Sequence, residues 1–351
     1  MTIKQLPVYT PYIKSYKHHA LKLSLIGDKE EYISWILSNY IQLYNPYNFI
    51  ENKDCDPHWL DFFLLTKNNE SNPWLELENI HFSDLKRNDV IQFIENSIDN
   101  GSYLYLYYNA FYIEHSFAYK QEHTPSNLLI YGYNKTKQVF LVLDYHYDEM
   151  GNRLKHLEVQ YNTLHLSLKN LNLNSHDEGW AEFSQICTVK ENKMEIRIQD
   201  IIDTIEEYLL SSQTYKKSEP TNTFFQNSKF GISVYEALLH YLDSLQNQEV
   251  EINILPISIL CEHKKVLYQL SLFLSHSFII KESICNELKS LKNDMLIVKN
   301  LLIKFSIKRE PMIIDSIRSK VLLIINIEKR VIPQLLQALK AQTLYNQDLC
   351  T

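Results

Sequence analysis

A histidine and an aspartate enclose two apolar segments in the middle of the chain, in the stretch EHTPSNLLIYGYNKTKQVFLVLDYH at 122–146. His123 precedes the first apolar segment and Asp144 closes the second. In acyl-transfer sites that use a thiol or a hydroxyl, an imidazole takes up the proton and a carboxylate fixes its tautomer. We therefore predict His123 as a general base and Asp144 as its orienting carboxylate, with a plain strand hairpin as the alternative.

The cysteines do not provide an obvious nucleophile for such a site. Five are present, at wide spacings: Cys55, Cys187, Cys261, Cys285 and Cys350. Cys55 has an aspartate on either side, and negative charge disfavours the reactive thiolate. We expect Cys187, Cys261 and Cys285 to be small buried packing residues and Cys350 to be a tail thiol. Without a CxxC pair, neither a zinc cage nor a disulfide framework is indicated, and a reducing cytoplasm fits best.

Two adjacent histidines near the N-terminus are a further candidate for chemistry. His18 and His19 lie in SYKHHALKLSLIG, just before the first strong helical pattern. Such a pair could act as a base, line the mouth of a pocket or bind a metal. Local spacing places no third ligand beside it, so we predict no metal site.

The segment LCEHKKVLYQL places Glu262 and His263 beside two lysines on a predicted helix. Adjacent helical residues point about 100° apart, so Glu262 or His263 should face inward. We expect Lys264 and Lys265 to be solvated. Glu262 or His263 is then either a buried structural group or part of a pocket wall that contacts substrate.

The first part of the chain should position these residues with helices followed by strands. Helices are predicted in DKEEYISWILSNYIQLY and in NDVIQFIENSI, the second ending at Asn100-Gly101. Strands are predicted in SYLYLYY, FYIEHSF, NLLIYGY, QVFLVLDY, HLEVQY and QICTVK, with NKTK as a turn. This order predicts an α+β domain with a largely antiparallel sheet, over residues 1–194.

The remainder of the chain is almost entirely helical in pattern. Long amphipathic segments with short separators follow residue 194 and predict an antiparallel helical bundle over residues 195–351. The polar stretch QTYKKSEPTNTFFQNSKFG is predicted as a linker within it.

Composition excludes several classes of function. The net charge is −7 with interspersed signs, so the clustered basic face of a nucleic-acid-binding protein is not expected. No 18-residue uncharged apolar segment predicts a membrane span, and the N-terminus lacks a secretory signal. The motifs GxGxxG, GxxxxGK[ST], GxSxG and HExxH are absent, so no cofactor is predicted.

Several segments together resemble the butirosin biosynthesis protein H-like group, which occurs in non-ribosomal peptide and polyketide gene clusters. In chain order these are SNYIQLY, FYIEHSFAYKQEH, NLLIYGYNKTKQVFLVLDY, FGISVYEALLHYL and LCEHKKVLYQL. They are spread over most of the chain. The resemblance implies a papain-like N-terminal half, related to bacteriocin-processing cysteine peptidases. It also implies transfer of an acyl group from a carrier-protein thioester to an amine.

The resemblance implies a cysteine at the start of an N-terminal helix, then a histidine and an aspartate. Asp144 matches the aspartate. Ser126 or Asn127 stands where the histidine is expected, so His123 or His115 would have to substitute for it.

His18 and His19 occupy the segment where the cysteine is expected. The catalytic residues that we predict are His18, His19, His123 and Asp144. The substrate-binding residues that we predict are His115, Asn127, Glu262 and His263.

Two functions remain open. The first is acyl transfer, amide formation or cyclisation on a carrier-bound or amide-containing intermediate, without the usual cysteine. The second is a non-catalytic family member that binds a carrier domain, a peptide or a partner enzyme. The expected partners are therefore an acyl or peptidyl carrier protein and a small-molecule or peptide substrate.

Overall fold

The protein folds into two compact units, as seen in a computed structural model that describes residues 2–45, 60–64, 72–148, 151–171, 184–193, 197–212, 228–277 and 280–348. Unit 1 comprises Met1–Tyr32 and Glu70–Lys193, and unit 2 comprises Ile33–Asn69 and Met194–Thr351. The predicted boundary near residue 194 coincides with one break between them. The segment Ile33–Asn69, which the sequence placed in the first domain, belongs to unit 2 instead.

Helices and antiparallel strands make up the fold, as an α+β class predicts. The described strands are β1 (Ile3–Gln5), β2 (Leu43–Asn45), β3 (Asp61–Phe62), β4 (Leu75–Asn79), β5 (Ser102–Asn109), β6 (Pro125–Asn134), β7 (Val139–Asp148), β8 (Gly151–Gln160), β9 (Gln185–Val189) and β10 (Lys229–Phe230). The described helices are α1 (Lys17–Leu23), α2 (Tyr32–Asn39), α3 (Phe82–Leu85), α4 (Val90–Asp99), α5 (Tyr161–Lys169), α6 (Ile198–Leu210), α7 (Val234–Gln246), α8 (Leu255–Ser277), α9 (Glu282–Lys308) and α10 (Pro311–Asp348). Among these helices, none has the length and apolarity that crossing a bilayer requires.

Unit 1 is built on one antiparallel sheet with the order β4-β9-β5-β6-β7-β8. Strand β5 pairs with β6 up to Ile130, and β1 pairs with β6 from Gly132 onward. The pairing of β6 with β7 shifts register at this point. A side chain at Gly132 would place its Cβ 2.5 Å from the Lys4 carbonyl oxygen, so glycine permits the close approach of β1.

The alternation of leucine and tyrosine along β5 separates the two faces of the sheet. Leu104 and Leu106 join a buried cluster with apolar residues of α4 and α5. Tyr103, Tyr105 and Tyr107 are buried as well. Burial on both faces explains why residues 103–108 of this strand are all leucine or tyrosine.

The predicted strand FYIEHSF is wrong. The chain forms a short 3-10 helix at Ala110–Tyr112 and then a series of turns. The Asn109 side chain accepts a hydrogen bond from the Phe111 N–H, and the Ser116 hydroxyl accepts one from the Ala118 N–H. Such local bonds replace the partners that a strand would offer the backbone.

Unit 2 is mainly helical, as its sequence pattern predicts. Helices α8, α9 and α10 follow one another with short connections and pack in sequence. Helices α6 and α7 pack against α10, and β10, β2 and β3 form a small antiparallel sheet. The predicted linker lies largely at residues outside the described ranges.

Candidate functional site

Asp144 is the centre of a buried polar cluster in unit 1. Its carboxylate is fully buried and faces the Lys17 ammonium at 2.6 Å. His115 donates to it from Nε2 at 2.9 Å, and the Tyr108 hydroxyl donates at 2.8 Å. The backbone N–H of Tyr145 donates at 2.6 Å. Four donors therefore surround one carboxylate, which is the environment that a buried negative charge requires.

Four separate segments bring these groups together. Lys17 is the first residue of α1, Tyr108 lies near the end of β5, and Asp144 lies in the second half of β7. His115 lies in the turns between β5 and β6, and its carbonyl accepts from the Tyr147 N–H at 3.2 Å. That bond ties the turn to β7 and so fixes the histidine beside the aspartate.

The Lys17 ammonium has a complete set of acceptors. Besides Asp144, it donates to the Ser126 hydroxyl at 2.8 Å and to the Asn127 carbonyl at 3.1 Å. An ammonium group has three hydrogens, and these three acceptors match them. Lys17 thus joins the start of α1 to the start of β6 and to β7.

The electrostatics of the cluster keep Asp144 charged and Tyr108 protonated. Burial alone would raise the pKa of Asp144, but the Lys17 charge and the His115 hydrogen bond hold that pKa below its ordinary 3.8. Burial, together with the neighbouring Asp144 charge, raises the pKa of Tyr108 well above 10.0. The pair is therefore a carboxylate and a hydroxyl that donates to it.

The histidine beside Asp144 is His115, not His123 as we predicted. His123 is exposed, stacks on Phe111 with ring centroids 4.1 Å apart, and accepts from the Asn109 side chain at 3.0 Å. His123 forms no hydrogen bond or ion pair with Asp144. The imperfect alternation around FYIEHSF was the sequence signal that a turn, and not a strand, carries His115.

The two N-terminal histidines are next to the cluster in sequence but do not bond to Asp144. His18 and His19 follow Lys17 in the first turn of α1, with ring centroids 4.2 Å apart, and His19 is buried. The α1 residue that reaches Asp144 is Lys17, which is not among the residues predicted from the sequence. A lysine at the start of the helix, in the segment where the resemblance implies a nucleophile, was the available signal.

Asn127, which we predicted to bind substrate, lies beside the cluster. Its side-chain nitrogen donates a hydrogen bond to the Tyr105 hydroxyl, and its backbone carbonyl accepts one from the Lys17 ammonium. Its side-chain oxygen is buried without a hydrogen-bond partner among the described residues. A role in substrate binding remains a prediction for Asn127 and for His115.

The residues predicted from the helical half lie in unit 2, on α8. His263 is fully buried, donates from Nε2 to the Ile41 carbonyl at 2.8 Å and accepts at Nδ1 from Lys264 at 2.8 Å. Burial, and then the Lys264 charge, lower the pKa of His263 well below 6.5. Because both ring nitrogens are occupied, contact of His263 with a substrate is not supported. Glu262 is half-buried, and its contact with a substrate remains a prediction.

The prediction that Lys264 is solvated is wrong. Lys264 is fully buried and forms an ion pair with Glu328 of α10. The Tyr208 and Tyr235 hydroxyls donate to the same carboxylate at 2.7 and 2.9 Å. A buried acid on a distant helix explains this burial, and no pattern local to CEHKK could indicate it. Lys265 is exposed as expected.

None of the described cysteines has the surroundings of a nucleophile. Burial raises the pKa of Cys187 to about 11 and that of Cys261 to about 12, so thiolate is scarce at neutral pH. Cys285 is buried and donates to the Ser271 carbonyl. Cys55 and Cys350 lie outside the described residues.

Comparison with models of known protein families and with curated proteins finds no match for this chain. The chemistry of the site must therefore be inferred from its geometry. The cluster provides a charged carboxylate, an oriented imidazole, an ammonium and a hydroxyl.

Proposed function

We propose that this chain is a papain-like protein of natural-product biosynthesis that binds a carrier-bound or amide-containing intermediate without forming an acyl-enzyme. The proposal combines the resemblance to the butirosin biosynthesis protein H-like group with the geometry around Asp144. In this interpretation unit 1 keeps a papain-like arrangement while the residues that would perform covalent catalysis are replaced.

The ion pair between Lys17 and Asp144 is the observation that carries the proposal. In a cysteine-type site the carboxylate orients an imidazole that withdraws a proton from the nucleophile. Here Ser126 or Asn127 stands where the resemblance implies the imidazole, and the carboxylate contacts an ammonium at 2.6 Å. Neither a serine hydroxyl nor a side-chain amide can replace an imidazole as a general base near neutral pH.

Ser126 is also poorly suited to be the nucleophile. Its hydroxyl oxygen accepts a hydrogen bond from the Lys17 ammonium at 2.8 Å. A lysine activates a serine when it is neutral and accepts the hydroxyl proton, whereas Lys17 donates and is paired with a carboxylate. This geometry supports a binding or positioning role for the cluster.

A second candidate function rests on the bond between His115 and Asp144. With Nε2 donating to Asp144 at 2.9 Å, His115 Nδ1 has a lone pair and could remove a proton from an attacking amine. Direct aminolysis of a thioester needs positioning and a base but no enzyme nucleophile. Acyl transfer, amide formation or cyclisation would all follow from this chemistry.

One experiment separates the two functions. The full chain is incubated with an acyl-pantetheine thioester and a primary amine. Thiol release, adducts by intact-protein mass spectrometry and binding of the thioester by calorimetry are then measured. The proposal expects binding without an adduct and without thiol release above the buffer rate.

Two histidine variants provide the matched comparison. Thiol release that is lost in His115→Ala but kept in His123→Ala would establish the aminolysis enzyme instead. His123 is a suitable control because its exposed ring does not contact Asp144. Absence of both binding and turnover would contradict both functions.

A further inference from the structure

The outward face of α9 in unit 2 carries apolar side chains that remain in solvent. Leu296, Ile303 and Ile307 are 51%, 38% and 78% exposed. Spacings of seven and four residues place all three on one side of the helix. The opposite side of α9 is covered, since Met295, Val298, Leu302 and Phe305 are buried.

The same face is cationic. Four lysines of α9 form no ion pair with any residue that the structure describes: Lys289, Lys292, Lys299 and Lys304. The acids of the helix beyond its first turn are already neutralised by α10. Glu287 pairs with Arg330 at 2.8 Å, and Asp294 pairs with Lys320 at 3.0 Å.

Helical geometry sets the cations beside the apolar residues. Lys299 and Lys304 lie on opposite sides of the line that joins Leu296 to Ile303 along the helix surface. The arrangement is therefore an apolar stripe between positive charges. We call Leu296, Lys299, Ile303, Lys304 and Ile307 the α9 outer face.

We propose that the α9 outer face docks an acidic amphipathic helix of a partner protein. Apolar side chains at helical spacing fit the apolar face of a partner helix, and flanking lysines select carboxylates beside it. The proposal deepens the proposed function, on which it rests, by naming the class of partner. It concerns unit 2, so it can fail separately from the cluster around Asp144.

The test uses the full chain and a fluorescent synthetic helix of about 20 residues, with leucines at helical spacing and glutamates elsewhere. Fluorescence anisotropy should show binding that weakens as salt is added. The double variant Lys299→Glu/Lys304→Glu should reduce the affinity about tenfold or more, and so should Ile307→Glu. A peptide with lysines in place of the glutamates should not bind.

Control variants and competing occupants make the outcome decisive. Leu210→Glu alters another exposed leucine of unit 2, which is 75% exposed, and should leave the affinity within about twofold of the unaltered chain. Equal binding of both peptides, or unchanged affinity in the double lysine variant, would overturn the proposal. So would self-association in sedimentation that the Ile307→Glu variant abolishes, or binding only to vesicles of anionic lipid. Acyl-pantetheine binding is measured for the unaltered chain and for the same variants. If the unaltered chain does not bind acyl-pantetheine, that result counts against the proposed function alone.

Discussion

Replacing Lys17 by methionine tests the electrostatic account of the cluster directly. The substitution keeps a side chain of similar length but leaves the fully buried Asp144 charge without its ammonium partner at 2.6 Å. Removing one partner of a buried ion pair typically costs about 3–5 kcal/mol. Because the Lys17 side chain retains 16% exposure, we expect the lower end, about 3 kcal/mol near pH 7.

The loss should depend on pH in a defined direction. The pKa of Asp144 lies below 3.8 in the folded chain, so its contribution to stability is complete above that value. The contribution disappears as the pH falls through the pKa of the folded state. Without Lys17, burial would raise the pKa of Asp144, and protonation would relieve the unpaired charge. The difference in free energy of unfolding should therefore shrink toward pH 4.

The measurement must follow unit 1 separately from the helices of unit 2. After equilibration in urea, a short deuterium pulse and mass spectrometry of peptides from β6 and β7 report the unfolded fraction of unit 1. Lys137→Met is the matched control, since it breaks the exposed Lys137–Glu158 pair of the same unit. Exposed pairs contribute about 0–1 kcal/mol.

Two results would refute this reasoning. One is a loss in Lys17→Met no greater than in Lys137→Met at pH 7. The other is an equal loss of unfolding free energy near pH 7 and near pH 4, which would mean that the charge of Asp144 does not depend on Lys17.

Three further predictions concern other parts of the chain. Gly231→Ala should destabilise unit 2, because the φ of Gly231 is +56° and the added Cβ would lie too close to the Tyr208 carbonyl oxygen. The same deuterium-pulse assay in urea, followed on peptides from α6 and α7, measures this loss. Lys264→Met should cost about 3–5 kcal/mol by leaving the buried Glu328 carboxylate without its ammonium partner. Lys264→Met with Glu328→Gln should recover part of that loss in the same assay, because the neutral amide oxygen still accepts from the Tyr208 and Tyr235 hydroxyls. Cys187 should not react with iodoacetamide at pH 7 until urea unfolds unit 1, because burial raises its pKa to about 11.

Each of these predictions has a result that contradicts it. Unchanged stability of Gly231→Ala would mean that the backbone moves away from Tyr208 at little cost. A double variant no more stable than Lys264→Met alone would show that the charge of Glu328 is not what destabilises the single variant. Fast labelling of Cys187 in buffer would show that β9 opens in the folded chain.

Much of the fold could be predicted from the sequence because its signals are local. Alternating leucine and tyrosine in β5, the NKTK turn between β6 and β7, and amphipathic spacing in the long helices each specify an element from neighbouring residues. Asn100-Gly101 marked the end of α4, where Gly101 adopts φ of +84°.

The sequence alone also predicted Asp144 as a functional carboxylate, but not the groups that surround it. A carboxylate in an apolar strand must be neutralised or hydrogen-bonded, and this follows from desolvation alone. Which groups do so depends on tertiary packing. Lys17 is 127 positions away in the chain and His115 lies in a turn that was predicted as a strand.

Tertiary structure decided the identity of both buried charge clusters. Lys264 looked like a solvated residue until α10 placed Glu328 against it, and His123 looked like the base until the turns brought His115 to Asp144. Sequence patterns report which residues leave water, because burial follows local periodicity. They do not report which polar groups meet, because the free energy of a buried ion pair depends on distances between segments that only the folded chain sets.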